Sequence, residues 1–375
     1  MKKFFCLLIL ATLLAPAFAQ TAIGSFVAHT SMHAFNSVAD DGATVYAATD
    51  NGLMLLDKST VFSEEPETST WTKVDGLSDI DIVKIFHETA HNSLIIFYNN
   101  GNIDVVRQDR VVNISDVKDK SLTGSKRLQN CRELGGRLYL VYPFGVVIFD
   151  AGDMRITDTW FTKRGGVQFI PTDIALCDSR FYISTTEGMF SMPGDALTIN
   201  DFSQWTREND WTALFMADAG GRLFVIKSGG GGGAESPDSL FAYADGQGQY
   251  VGKSYPSVRY MSAKHDTLLV CNWDGVELMN TDGERIFYAV WYAGTAYYPD
   301  VREAVLDGSD IWVADRVFGM VHCNMTYYSY HFFTVSGPYD DYVERVTSHN
   351  GVVAAVHGTR RASTSYAPGY RFPAL

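Results

Sequence analysis

One pattern recurs along this chain at a nearly fixed spacing: a short apolar or aromatic strand, a polar turn, a glycine and a second strand. It reads VYAATDNGLMLLD from Val45, LIIFYNNGNIDVV from Leu94, LYLVYPFGVVIFD from Leu138 and FYISTTEGMFSMP from Phe181. It continues as LFVIKSGG from Leu223, LLVCNWDGVELMN from Leu268, IWVADRVFGMVHC from Ile311 and VVAAVHG from Val352. Successive starts lie 49, 44, 43, 42, 45, 43 and 41 residues apart. A repeat of this length is a supersecondary unit that cannot bury its own faces and must stack on its neighbours. It has room for four strands of about five to six residues with their turns. Solenoid repeats of similar period are helical and need apolar residues at i, i+3, i+4 and i+7; few windows here show them. The expected fold is all-β: a β-propeller of four-stranded blades, most simply seven-bladed, with an incomplete extra unit at the C-terminus. An eight-bladed ring is the second choice.

The remaining strands of each unit fall around the pattern. Inner strands precede it: IVKIF from Ile82, NCREL from Asn130, IALC from Ile174, ALFMA from Ala213, VRYMSA from Val258, REAVL from Arg302 and ERVTS from Glu344. A fourth strand follows, often with an aromatic residue. Trp71, Trp160, Trp205, Trp291 and Phe333 are expected there, wedged between adjacent blades. The glycine of the pattern is Gly52, Gly101, Gly145, Gly188, Gly230 and Gly275 at one offset, Gly319 one residue later and Gly358 one earlier. It is expected to supply the positive φ of a hairpin turn. Residues Ile23 to Val38 are expected to supply an N-terminal strand that completes the last blade and closes the ring. The expected boundaries are 1–19 for a signal peptide, 20–340 for the propeller, and 341–375 for an incomplete further blade or the start of a truncated second propeller.

Lys2 and Lys3 form a positive start, Phe4 to Leu14 an apolar run, and Ala17-Phe18-Ala19 a small-x-small cleavage site. These are the parts of an export signal, so the product is expected in the periplasm or at the cell surface. The run is shorter than a bilayer span, and no later stretch is long and apolar enough to cross. A formal net charge of −13 excludes a general nucleic-acid binder, which needs a surplus of Lys and Arg. Cys131, Cys177, Cys271 and Cys323 follow neither a zinc spacing nor C-x-x-C, and are expected to be buried free thiols.

Several strings imitate chemistry. His87-Glu88-Thr89-Ala90-His91 spells H-E-x-x-H, which binds zinc when both histidines share one helix face. Here it sits between two strand runs, where other repeats have tight turns. His29 and His33 share the i, i+4 spacing without an acid or a helix signal. Asp79 and Asp81 lie at a strand entry, where acids make turns. Gly229 to Gly233 lacks the Lys-Ser/Thr and helix of a phosphate loop and reads as an inserted flexible loop. Asn113 and Asn324 head short N-x-S/T sequons. Lys126-Arg127 and Arg360-Arg361 are isolated basic pairs on an acidic chain. No catalytic, cofactor-binding or metal-binding set is assigned, the ligand-binding residues stay unknown, and the chain is expected not to be an enzyme.

The strings IGSFVAHTSMHAFNSVA, VYAATDNGLMLLD, WTKVDGLSDIDI, LIIFYNNGNIDVV and VVNISDVKDKSLTG resemble the N-terminal propeller of the PorZ family, a type IX secretion component of Bacteroidetes. DFSQWTREND and RRASTSYAPGYRF are similar too. The resemblance implies two seven-bladed propellers and a C-terminal β-sandwich, of which this chain is expected to hold the first and the start of the next. It implies a non-catalytic cell-surface protein in a complex with a sortase and an outer-membrane carrier protein. It also implies binding of anionic lipopolysaccharide and its presentation to the sortase. Two other readings fit the repeat. One is the periplasmic sensor propeller of a hybrid two-component system, whose hairpins look alike. The other is a polysaccharide-active propeller enzyme, which needs acids, His or Tyr converging on the channel.

Overall fold

The computed structural model describes residues 28–338, except 109, 231–235, 245 and 293–296, together with 343–349 and 352–357. Seven four-stranded antiparallel sheets follow one another, each with its strands paired in chain order. In blade one these strands are Ser37–Asp40, Thr44–Ala48, Gly52–Asp57 and Thr68–Thr72. The inner strands of blades two to seven are Ile82–Glu88, Asn130–Leu134, Pro171–Cys177, Ala213–Ala219, Val258–Lys264 and Val301–Asp307. Blade seven ends with the outer strand Ser329–Phe333. A further hairpin, Val343–His349 with Val352–His357, pairs only with itself. The chain is a seven-bladed β-propeller.

The second and third strands of most blades are largely apolar and buried because both faces are covered. Sheets buried on both faces lose the apolar–polar alternation. Ser93–Tyr98, for example, is buried throughout. The buried apolar residues form seven clusters, and each one spans a single junction between neighbouring blades. Trp160 wedges between blades three and four beside Tyr139, Phe181 and Trp205, with ring centroids 5.3 to 6.0 Å from its own. Phe333 seals the junction of blades seven and one with Trp312, Val38, Val45 and Met54. At the junction of blades six and seven the wedge is Tyr292, fully buried, and not Trp291, which is 52% exposed. Trp291 lies one residue past the outer strand Arg285–Val290, so its side chain leaves the sheet before the junction.

Among the described residues the ring does not close by the strand expected from the N-terminus, residues 23–27 of that stretch lying outside them. Val38 lies in the inner strand of blade one, and blade seven supplies all four of its own strands. With the outer position of blade seven already filled, closure rests on packing and a polar clasp. Lys58 of blade one bonds Asp40 of its own blade at 2.8 Å and Asp307 of blade seven at 2.5 Å. Burial draws the Lys58 ammonium down, but these two carboxylates outweigh it and hold the group above its ordinary value. The four cysteines are buried and unpaired; burial pushes the Cys131 thiol up to about 12, which removes it from thiolate chemistry.

Candidate functional site

The inner strands carry a feature that simple alternation does not show. In five of the seven blades the pairing shifts by a β-bulge at the start of the inner strand, between Ile82 and Lys84, Pro171 and Asp173, Ala213 and Phe215, Val258 and Tyr260, and Val301 and Glu303. A bulge bends the strand and re-aims a side chain. The residues just past these bulges are Lys84, Asp173, Phe215, Tyr260 and Glu303, and they meet around the axis of the ring.

There they form a plug. Lys84 Nζ bonds Glu303 Oε1 at 2.6 Å, and Ser37 Oγ donates to Glu303 Oε2 at 2.5 Å. Arg132 grips Asp173 with two bonds, Nε to Oδ1 at 3.0 Å and Nη2 to Oδ2 at 2.5 Å. Its Nη1 donates to the carbonyl of Met261 at 2.8 Å, while Asp173 also accepts from Asn130 Nδ2 and the Met216 amide. Tyr260 lies between the two pairs, with Lys84 Nζ 4.5 Å and the Arg132 guanidinium 5.8 Å from its ring centre. Phe215 meets that ring edge-on at 6.2 Å. Every blade contributes a group. All four charged residues are buried, Asp173 completely. Burial works against the Lys84 charge, but the Glu303 carboxylate outweighs it and keeps the ammonium above its ordinary value.

The plug divides the channel into unlike mouths. On the side where the inner strands begin lies a cavity of about 500 Å³ lined by Asn36, Arg127, Gln129, Arg259, Arg302 and the plug. On the other side two cavities, of about 300 and 590 Å³, carry Asp40, Asp41, Asp307, Glu133 and Asp218 with Lys264 and His87. Burial and the nearby Glu88 hold the Glu133 carboxyl above its usual range. An acidic protein thus gathers three arginines at one mouth and carboxylates at the other.

His87 and Glu88 end the inner strand of blade two, and His91 lies in the tight turn after it. His87 Nε2 meets Asn92 Oδ1 at 2.8 Å, and His91 Nδ1 meets Glu88 Oε2 at 3.1 Å, so hairpin geometry splits the two histidines between separate partners. Among the described residues no group of three or more His, Cys, Asp or Glu could hold a metal ion. Asp79 organises its turn by bonding Asn100 at 2.6 Å and Lys118 at 2.9 Å. Most of the glycine-rich run, and Arg360-Arg361, lie outside the described residues. Of the basic pairs, Arg127 reaches the arginine mouth. Arg259, Arg302 and the plug had no distinguishing motif; only the bulged register brings them together.

The architecture and its plugged, two-faced channel define a seven-bladed propeller. Residues 33–206 match the family model of the PorZ N-terminal β-propeller domain of the type IX secretion system. Those residues span blades one to three and most of blade four. The chain is similar to the solved structure of PorZ, described as an essential bacterial surface component of the type IX secretion system of Porphyromonas gingivalis, with a TM-score of 0.74 and 18% identity. That match covers 90% of this chain and 43% of the PorZ chain, so this chain spans less than half of its relative's length. It is also similar to the WD40 propeller domain of Doa1, at 11% identity and a TM-score of 0.53, covering 77% of this chain and 92% of that one. At these identities the two structures speak for the fold alone. No curated protein matches the sequence significantly.

Proposed function

We propose that this chain is a non-catalytic, exported component of the type IX secretion system that binds anionic lipopolysaccharide at the cell surface and presents it to the sortase of the attachment complex. The observation that carries the reading is the PorZ-type family match over residues 33–206. The arginine mouth supports it, since guanidinium groups pair with phosphate and carboxylate in a planar, two-bond geometry. The partners are the sortase and the outer-membrane carrier protein. A rigid ring with its axis blocked by side chains offers a docking platform. No helix among the described residues is long and apolar enough to cross a membrane, and surface retention is assigned to those partners.

Two measurements test this. The folded full chain, immobilised, is expected to capture the sortase or the carrier protein from purified stocks, and to bind purified lipopolysaccharide in titration. A well-folded chain that does neither would overturn the reading.

A further inference from the structure

The arginine mouth does not stand alone on its face. In a propeller blade the second-to-third-strand turn and the connection to the next blade lie on the side where the inner strands begin. Trp273 occupies that turn in blade six. Its amide donates to the carbonyl of Ser257, just before Val258 and Arg259, and its carbonyl accepts from Val301, just before Arg302. The backbone of Trp273 is therefore tied to the starts of both arginine-bearing strands. Trp291 joins it through a bond from its amide to the carbonyl of Asp274. Tyr298 completes the group, with ring centres 6.1 Å from Trp273 and 5.1 Å from Trp291.

These rings are not required by the core. Tyr292 fills the blade junction, yet Trp291 stays 52% exposed and Tyr298 62% exposed. Trp291 is held at φ +50°, a left-handed conformation that costs a bulky residue strain. Strain and a large exposed indole kept together point to a binding use. At the same mouth, Arg259 is exposed and has no ion pair among the described residues, and Arg302 pairs with Asp300 at 2.6 Å while its Nε is buried without a partner. Flat aromatic faces cover the apolar faces of sugar rings, and guanidinium groups take phosphate, sulfate or carboxylate substituents. Proteins that bind anions alone need only the second.

We infer that this face, at the junction of blades six and seven, is an acidic-glycan site: Trp273, Trp291 and Tyr298 take sugar rings, while Arg259 and Arg302 take their charged substituents. The inference rests on the proposed reading in that the natural ligand would be the glycan of an anionic lipopolysaccharide, and it names the residues that touch it.

The test uses the full chain, titrated with dextran sulfate, neutral dextran and polyglutamate. These probes offer charge on sugar, sugar alone and charge alone. Dextran sulfate is expected to bind at least about tenfold more tightly than either of the others. W291A and R259Q are each expected to weaken it about tenfold, with the thermal midpoint unchanged, while R155Q on the outer strand of blade three leaves it alone. The site is overturned if polyglutamate binds as well as dextran sulfate, or if R259Q weakens binding and W291A does not. A final arm uses purified lipopolysaccharide. If wild type and both variants bind it equally, this site is wrong and the glycolipid reading survives. If it does not bind while dextran sulfate still depends on both residues, the site stands and the glycolipid reading falls.

Discussion

Arg132 holds together more of this molecule than any residue near it in sequence. It sits on blade three, grips a fully buried carboxylate on blade four and reaches the backbone of blade six. Removing one partner of a buried pair leaves the other charge uncompensated, which costs about 3–5 kcal/mol. R132M is expected to lose that much in urea unfolding, and R132M with D173N to regain part of it. A loss below about 1 kcal/mol would mean that water reaches Asp173 and that the plug is loose. Glu277 makes a second, more peripheral clasp. It accepts from Lys253 at 2.8 Å, Arg285 at 2.7 Å and Tyr255 at 2.9 Å. Burial would raise its carboxyl, but these three donors outweigh it and hold the group below its ordinary value of 4.5. A carboxyl depressed in the folded state binds fewer protons than in the unfolded chain, so its contribution is complete above 4.5 and is lost as the pH falls through the lower folded value. The stability gap between wild type and E277Q is thus expected to hold steady at about 1.5–3 kcal/mol near neutral pH and to shrink only in acid. A gap that shrinks above pH 5 would show that the clasp is not carried by the ionised form. Such pairs are hidden from a sequence reading: Lys84 and Glu303 are 219 positions apart, and bulges shift the alternation that would have pointed them at the axis.

The repeating glycine shows how an element's sequence signal can be right and its reason different. The pattern's glycine opens the third strand in blades one, three, four, six and seven. Gly319 joins this set because its turn is one residue longer, whereas Gly230 falls within the glycine-rich run and the third strand of blade five starts at Asp238. Positive φ is not the shared requirement, since Gly275 lacks it. The shared requirement is space. A Cβ on Gly275 would lie 2.2 Å from the carbonyl oxygen of Ala289 on the outer strand, and one on Gly145 equally close to that of Trp160. G275A is therefore expected to cost about 1–3 kcal/mol or more through a backbone clash. G42A, at φ +95° with open space around it, is expected to cost only about 1 kcal/mol. Thermal or urea unfolding of both variants checks the order, and a larger loss in G42A would return the explanation to backbone conformation. The period, the inner strands and the hairpins were all legible because each is a local run of apolar residues bounded by turns. Trp291 was misplaced because an aromatic at a strand end looks the same whether it turns into the junction or out to solvent.

At the scale of the ring, seven junction cores replace one central core, and the junction of blades seven and one differs from the others only in having no covalent connection between its blades. A strand borrowed from the N-terminus would have locked it. In its place stand the Lys58 clasp and an apolar seam whose largest member is Trp312, 2% exposed. The sequence could not reveal this, because closure is a contact between distant residues, Lys58 and Asp307 being 249 positions apart, and both mechanisms demand the same strand count. Stability in such arrays is close to a sum of units and nearest-neighbour interfaces. Cutting one interface of a closed ring turns it into a line of seven units joined by six interfaces, with blades one and seven as its frayed ends. W312A is expected to cost about 3–5 kcal/mol, as large aromatic truncations in cores do. Hydrogen exchange should show where the loss falls. The amides of Ser37–Asp40 and Val301–Asp307 are expected to lose protection well before those of Pro171–Cys177, on the far side of the ring. If protection falls equally in all seven inner strands, the ring opens as one cooperative body, and the seam is held by the axial plug that joins every blade and not by the packing of blades seven and one.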